Sequence, residues 1–108
     1  MDNILQALYS TITERQKNPA EGSYTCYLFE KGIDKILKKL GEECSETIIA
    51  AKNGDSAEVV LESADLIYHL MVLWADMGIG IEDIMAELDK RSAKTGNLKT
   101  FKQVDKNS

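Results

Sequence analysis

Proline and histidine each occur once in this 108-residue chain, as Pro19 and His69, and cysteine only twice, as Cys26 and Cys44. With no CxxC pair and no cysteine series, neither a zinc site nor a disulfide framework is expected, and Cys44 reads as a small packing residue. No apolar run reaches the 18 residues of a membrane span. The nearest, residues 66–75, is interrupted by Tyr68-His69 and suits a buried helix. The start Met1-Asp2-Asn3-Ile4 has neither the basic residues nor the apolar stretch of a signal peptide, so a cytoplasmic protein with reduced thiols is expected. Strand-like alternation is missing too, which predicts an all-α fold. Positive charge is the minority sign, 13 Lys and Arg against 18 Asp and Glu, for a net charge of −5. Such a surface attracts neither nucleic acid nor an anionic membrane. It accepts a phosphorylated substrate only where cations or a few lysines invert the field locally.

The 44% of apolar residues is enough for a packed core. The expected organisation is one domain over residues 1–95 with a polar tail over 96–108. Ile4, Leu5, Leu8 and Ile12 recur at helical spacing and predict a first helix from residue 2 or 3 to 16, stopped by the stretch around Pro19. Residues 22–32 mix glycines, hydroxyls and aromatics without clear periodicity and read as a loop. It is either a connector pinned by Leu28 and Phe29 or a substrate loop, whose Ser23 and Thr25 hydroxyls and free backbone N–H groups would suit phosphate oxygens.

Residues 33–53 form a second strong helical pattern, with Ile33, Ile36, Leu37, Leu40, Cys44, Ile48 and Ala51 as its apolar stripe. Gly41 inside it costs about 1 kcal/mol relative to alanine and calls for a reason such as a close helix approach. After the Asn53-Gly54-Asp55 turn, a helix over 56–77 is apolar on most sides, and one chain of this size cannot surround it. A homodimer or higher homo-oligomer is therefore expected. A fourth helix is predicted from Ile81 to about residue 93, and the tail beyond it is expected to be loose or to dock only through Leu98 and Phe101.

Two acidic pairs stand out, Glu43 with Glu46 and Glu62 with Asp65. Residues three apart on a helix point within roughly 60° of one another, so each pair can face one object. Singly these spacings describe many solvated helix faces. Here both adjoin apolar stripes, and burying unpaired like charges is costly unless a hard cation compensates. Carboxylate oxygens without thiols or paired imidazoles favour Mg²⁺ or Mn²⁺ over Zn²⁺. Glu58, Glu62, Asp65 and His69 share one narrow sector of their helix. His69 could ligate, shuttle protons, orient a carboxylate or serve as a hydrogen-bonded structural residue. Lys35, Lys38, Lys39 and Lys52 flank the first pair, either as solvated surface or as phosphate contacts. Tyr24, Tyr27 and Tyr68 suit either core packing or stacking on a base.

The runs Gly22-Ser23-Tyr24-Thr25, Lys38-Lys39-Leu40-Gly41-Glu42-Glu43 and Glu62-Ser63-Ala64-Asp65-Leu66-Ile67-Tyr68-His69-Leu70 carry a resemblance. The chain resembles the phosphoribosyl-ATP pyrophosphatases of histidine biosynthesis, a branch of the all-α, MazG-like nucleotide pyrophosphohydrolases. That resemblance implies a bundle of four to five helices completed by homo-oligomerisation, and Mg²⁺-dependent hydrolysis of 1-(5-phosphoribosyl)-ATP to 1-(5-phosphoribosyl)-AMP and pyrophosphate. It further implies Glu43, Glu46, Glu62 and Asp65 as metal ligands, with Glu42 adjoining; any of these five could orient the water. Gly22, Ser23, Tyr24, Thr25, Lys38, Lys39 and Lys52 become candidate phosphate or ribose contacts. Cys44, where a small residue such as alanine is usual, and Trp74, where an aliphatic one is common, depart from the pattern without removing a ligand. A housecleaning nucleoside triphosphate pyrophosphohydrolase keeps the same metal site with another substrate. A non-catalytic helical dimerisation module would carry the acidic stripe incidentally.

Overall fold

The structure, a computed structural model, describes residues 4–93. The expected tail, with Leu98 and Phe101, lies outside the described residues, as do positions 2 and 3 where the first helix was expected to begin. Among the described residues the fold is all-α, with five helices and no strand: α1 (Ile4–Lys17), α2 (Tyr24–Lys31), α3 (Ile33–Lys52), α4 (Ser56–Asp76) and α5 (Ile81–Ser92). None of them alone is long and apolar enough to cross a membrane.

The extra element is α2, where sequence reasoning expected a loop. Ser23 holds an extended conformation and its side chain accepts a hydrogen bond from the Cys26 N–H, capping the helix. Tyr24, Tyr27, Leu28 and Lys31 follow at i, i+3, i+4 and i+7, a helical spacing hidden by the loop-like composition around it. Gly32, at φ +92°, ends α2 and begins α3 without a spacer, a conformation that side chains with a Cβ rarely adopt. The turn between α3 and α4 follows the sequence expectation. Asn53 closes α3, Gly54 takes φ +71°, and the Asp55 carboxylate accepts from the Glu58 N–H to start α4.

The core gathers Ile12, Leu28, Ile36, Met71, Val72, Ala75 and Ile81, at least one residue from each helix. The C-terminal half of α4 is its centre, with α1, α2 and α3 packed around it. The Tyr9 hydroxyl donates to the Ile79 carbonyl and ties α1 to the α4–α5 turn.

Two expectations for α3 are corrected. Its face toward its own chain runs through Ile36, Leu40, Glu43, Thr47 and Ala50, whereas Leu37, Cys44, Ile48 and Ala51 of the expected stripe are exposed. The helix has two apolar faces, and periodicity does not say which one meets the rest of the chain. Gly41 lies on the outer face, where an added Cβ would meet nothing within 4 Å, so no close approach within this chain requires it.

Candidate active site

Because Glu43 lies on the inward face of α3, it is almost fully buried, 8% exposed. Across from it, α4 presents Glu62, half-buried, and Asp65 one turn further along, more exposed. One carboxylate oxygen from each of these three residues lies within 4.8 Å of the others. The Oε1 atoms of Glu43 and Glu62 are both sealed from solvent and accept a hydrogen bond from nothing among the described residues. A buried carboxylate oxygen without a donor is costly, so the pair fits a cation as its missing partner.

Their electrostatics agree with the geometry. The Glu62 carboxyl is pushed up to about 8, first by its closeness to the Glu43 carboxyl, with which only its protonated form can hydrogen-bond. Hydrogen bonding with Glu58, loss of water and the nearby Glu46 add to the rise. Protonation is one way to relieve crowded carboxylates, and a divalent cation is the other.

The remaining acidic candidates sit at the rim. Glu46 is exposed and lies against Glu62, outside the tight group of three. Glu42 points elsewhere and pairs with Lys39 at 3.2 Å. Glu58, which sequence reasoning placed in the right sector without assigning it to the site, adjoins Glu62. Its i, i+4 spacing from Glu62 was the available signal.

Above the acids stands a group of rings. The Tyr24 hydroxyl lies 3.0 Å from His69 Nε2, and His69 Nδ1 lies 2.8 Å from the Asp65 carbonyl. A carbonyl only accepts, so Nδ1 carries the hydrogen and Nε2 accepts from the Tyr24 O–H. His69, 3% exposed, thereby uses both ring nitrogens within the chain, which is the hydrogen-bonded role among the readings open from sequence. Burial raises the Tyr24 pKa; Lys39 pulls it down, while Tyr68, Glu43 and Tyr27 push it up, so this hydroxyl feels the charge of both Lys39 and Glu43. Thr25 Oγ1 and the Tyr68 hydroxyl form a hydrogen bond. All three hydroxyls of the Ser23-Tyr24-Thr25 run are therefore engaged inside the protein, and the exposed face of Tyr24 is what they leave available. Gly22, at φ +81°, turns the chain into this helix.

Of the candidate lysines, Lys39 is half-buried and pairs with Glu42, while Lys38 and Lys52 are exposed. A cleft of about 750 Å³ lies between the end of α1 and α2, bounded by Arg15, Gln16, Gly22, Ser23, Cys26 and Tyr27 among others. None of the clustered carboxylates lines it.

The sequence that builds this geometry has counterparts in known proteins. The profile of the phosphoribosyl-ATP pyrophosphohydrolase family matches residues 5–92, which contain every helix but one residue of α1. The chain belongs to that family. Proteins named phosphoribosyl-ATP pyrophosphatase from Bacillus mycoides (strain KBAB4), Bacillus thuringiensis (strain Al Hakam) and Bacillus cereus (strain 03BB102) are each 50% identical to it over 105 residues. Each alignment covers 97% of this chain and 98% of the relative. The family match thus extends over the acidic cluster and the ring group alike.

Proposed function

We propose that this chain hydrolyses 1-(5-phosphoribosyl)-ATP to 1-(5-phosphoribosyl)-AMP and pyrophosphate, with Mg²⁺ held by Glu43, Glu62 and Asp65 and with Glu46 beside them. The observation that carries the reading is the pair of buried, donorless carboxylate oxygens on facing helices, in a member of this family. When bound, Mg²⁺ neutralises the triphosphate and lowers the pKa of an attacking water. The other steps fall to the chain's own groups. Glu43 and Glu62 are fixed by burial between α3 and α4, so the cation site is organised before substrate arrives. Glu46, exposed at the rim, suits either completion of the cation's shell or acceptance of the water's proton. Glu42 keeps the Lys39 ammonium near the phosphates' path, and Lys38 and Lys52 supply further positive charge on α3. Ser23 and Thr25 hold Tyr24 in place through the cap and the Tyr68 bond, with Gly22 setting the entry to that helix.

The deciding experiment is a panel of phosphoribosyl-ATP, dUTP and dCTP, each assayed for pyrophosphate release with and without Mg²⁺. Release from phosphoribosyl-ATP alone, and only with the metal, is the outcome expected. Preference for dUTP or dCTP would replace the reading with a housecleaning activity.

A stability prediction follows from the same site. The Glu62 pKa is near 8 in the folded chain against 4.5 as its ordinary value. The native state therefore binds more protons than the unfolded chain between those limits, and its stability falls as pH rises through them. In metal-free buffer, Tm should drop between pH 5 and pH 8. Saturating Mg²⁺ should raise Tm more at pH 8, where it need not displace the proton. The Glu62→Gln variant should lose much of the pH dependence. A Tm that is flat in pH and indifferent to Mg²⁺ would remove the site.

We also propose that the chain acts as a homodimer or larger homo-oligomer. Ile48 and Val60 are 68% and 67% exposed on the two longest helices, with Leu37, Leu61 and Ile67 also open. A large apolar area of this kind is usually covered by another chain.

A further inference from the structure

Lys31 and Lys35 take no part in the acidic cluster, yet their ammonium groups converge on one ring. Lys31 Nζ lies 5.9 Å and Lys35 Nζ 6.0 Å from the centroid of Tyr27. Neither forms an ion pair among the described residues, although the chain carries five more acidic than basic groups. The ring face attracts each cation, but the two repel one another, and an anion between them would complete the arrangement.

Tyr27 also continues toward the reaction site. Its ring stacks with Tyr24, centroids 6.1 Å apart and planes 25° apart, and Tyr24 stacks in turn with Tyr68 at 6.2 Å and 28°. The Tyr24 hydroxyl lies 3.0 Å from His69 Nε2, and His69 Nδ1 lies 2.8 Å from the carbonyl of Asp65, a member of the acidic cluster. On α3, Lys35, Lys39 and Glu43 follow at i, i+4 and i+8, one face rising about 12 Å. The order along the surface is therefore a lysine pair, a run of aromatic rings, then Lys39 with the acidic cluster. Phosphoribosyl-ATP has the same order: a ribose 5-phosphate, a purine, and a second ribose with its triphosphate.

We propose that Lys31 and Lys35 form a phosphate subsite that takes the 5-phosphate of the phosphoribosyl arm, with the purine against Tyr24 and Tyr27. The inference rests on the reading of phosphoribosyl-ATP as substrate and adds to it the groups that separate this substrate from ATP. ATP lacks the arm, so it would occupy the acidic end and leave the lysine pair unfilled.

The test uses the full chain with saturating Mg²⁺ and compares wild type with K31Q, K35Q and the double variant. Each charge-assisted contact to a phosphate is worth enough that one substitution should raise KM for phosphoribosyl-ATP about 10-fold, and two about 100-fold, with kcat changing far less. Ribose 5-phosphate should compete with the substrate in wild type and lose that competition in the double variant. Lys17→Gln, which removes one charge at the end of α1, controls for the overall field. The subsite is overturned by a double variant with wild-type KM, by a loss confined to kcat, by undiminished competition from ribose 5-phosphate, or by an equal KM rise in Lys17→Gln. Those results leave the activity itself standing. Failure of the wild type to cleave phosphoribosyl-ATP would instead defeat the functional reading on which the subsite depends.

Discussion

Replacing Glu43 by glutamine should lower turnover of phosphoribosyl-ATP by a factor of about 1,000 or more, equivalent to about 4 kcal/mol of transition-state stabilisation. Glutamine keeps the shape of the side chain, so the inward face of α3 stays packed and helix content should match the wild type. What is lost is one negative charge at the most buried position of the cluster. A neutral amide holds a divalent cation weakly and places N–H groups where an oxygen faced it. The same change removes a carboxylate crowded against Glu62, so the metal-free protein should melt higher while its Mg²⁺-dependent gain in Tm disappears. That opposite movement of stability and activity separates loss of a ligand from simple unfolding. Asp65→Asn should behave alike in activity. Glu42→Gln breaks the exposed pair with Lys39 and should cost much less, since that carboxylate is directed away from the three clustered oxygens. Steady-state kinetics and Mg²⁺-dependent melting of the three variants check this. Turnover above one tenth of wild type in both Glu43→Gln and Asp65→Asn would sink the metal-site assignment.

The position of Glu43 also shows what the sequence could convey. Helices α3, α4 and α5 and the turn between α3 and α4 were legible, because long apolar periodicity, an Asn-Gly turn and an acidic cap act locally. The side of α3 that Glu43 occupies was not legible. Sequence reasoning merged Ile36 and Leu40 with Leu37, Cys44 and Ile48 into one packed stripe and set Glu43 on its shoulder, whereas the chain packs through Ile36, Leu40 and Glu43 and leaves Leu37, Cys44 and Ile48 exposed. Both stripes are apolar, and only tertiary packing distinguishes them. Helix α2 was missed for another reason: its eight residues are bracketed by Gly22 and Gly32, and glycines on both sides of a short run of hydroxyls and aromatics read as a loop. The connection from Tyr24 through His69 to Asp65 joins residues 45 positions apart and has no local signature at all.

The unexplained outer face of α3 leads to the second large effect: glutamate at Ile48 or at Val60 should turn an oligomer into monomers. Leu37, Gly41, Cys44 and Ile48 follow at i, i+4, i+7 and i+11 along α3, and Val60, Ala64 and Ile67 at i, i+4 and i+7 along α4, all of them exposed. Each row is the stripe of an amphipathic helix with nothing of its own chain against it. A buried apolar anchor replaced by a charge costs an interface on the order of 2–4 kcal/mol, or about 30- to 1,000-fold in dissociation constant. The monomer itself should be nearly unaffected, since neither side chain packs into its core. Gly41 offers an independent reading of the same face. An added methyl meets nothing in the chain, so Gly41→Ala should stabilise an isolated monomer by about 1 kcal/mol through helix propensity alone. A partner helix resting on Gly41 would reverse that sign and weaken association. Sedimentation of the wild type, Ile48→Glu, Val60→Glu and Gly41→Ala over a range of concentrations distinguishes the cases. A wild type that stays monomeric at the highest concentration would show that another partner, or none, covers these rows.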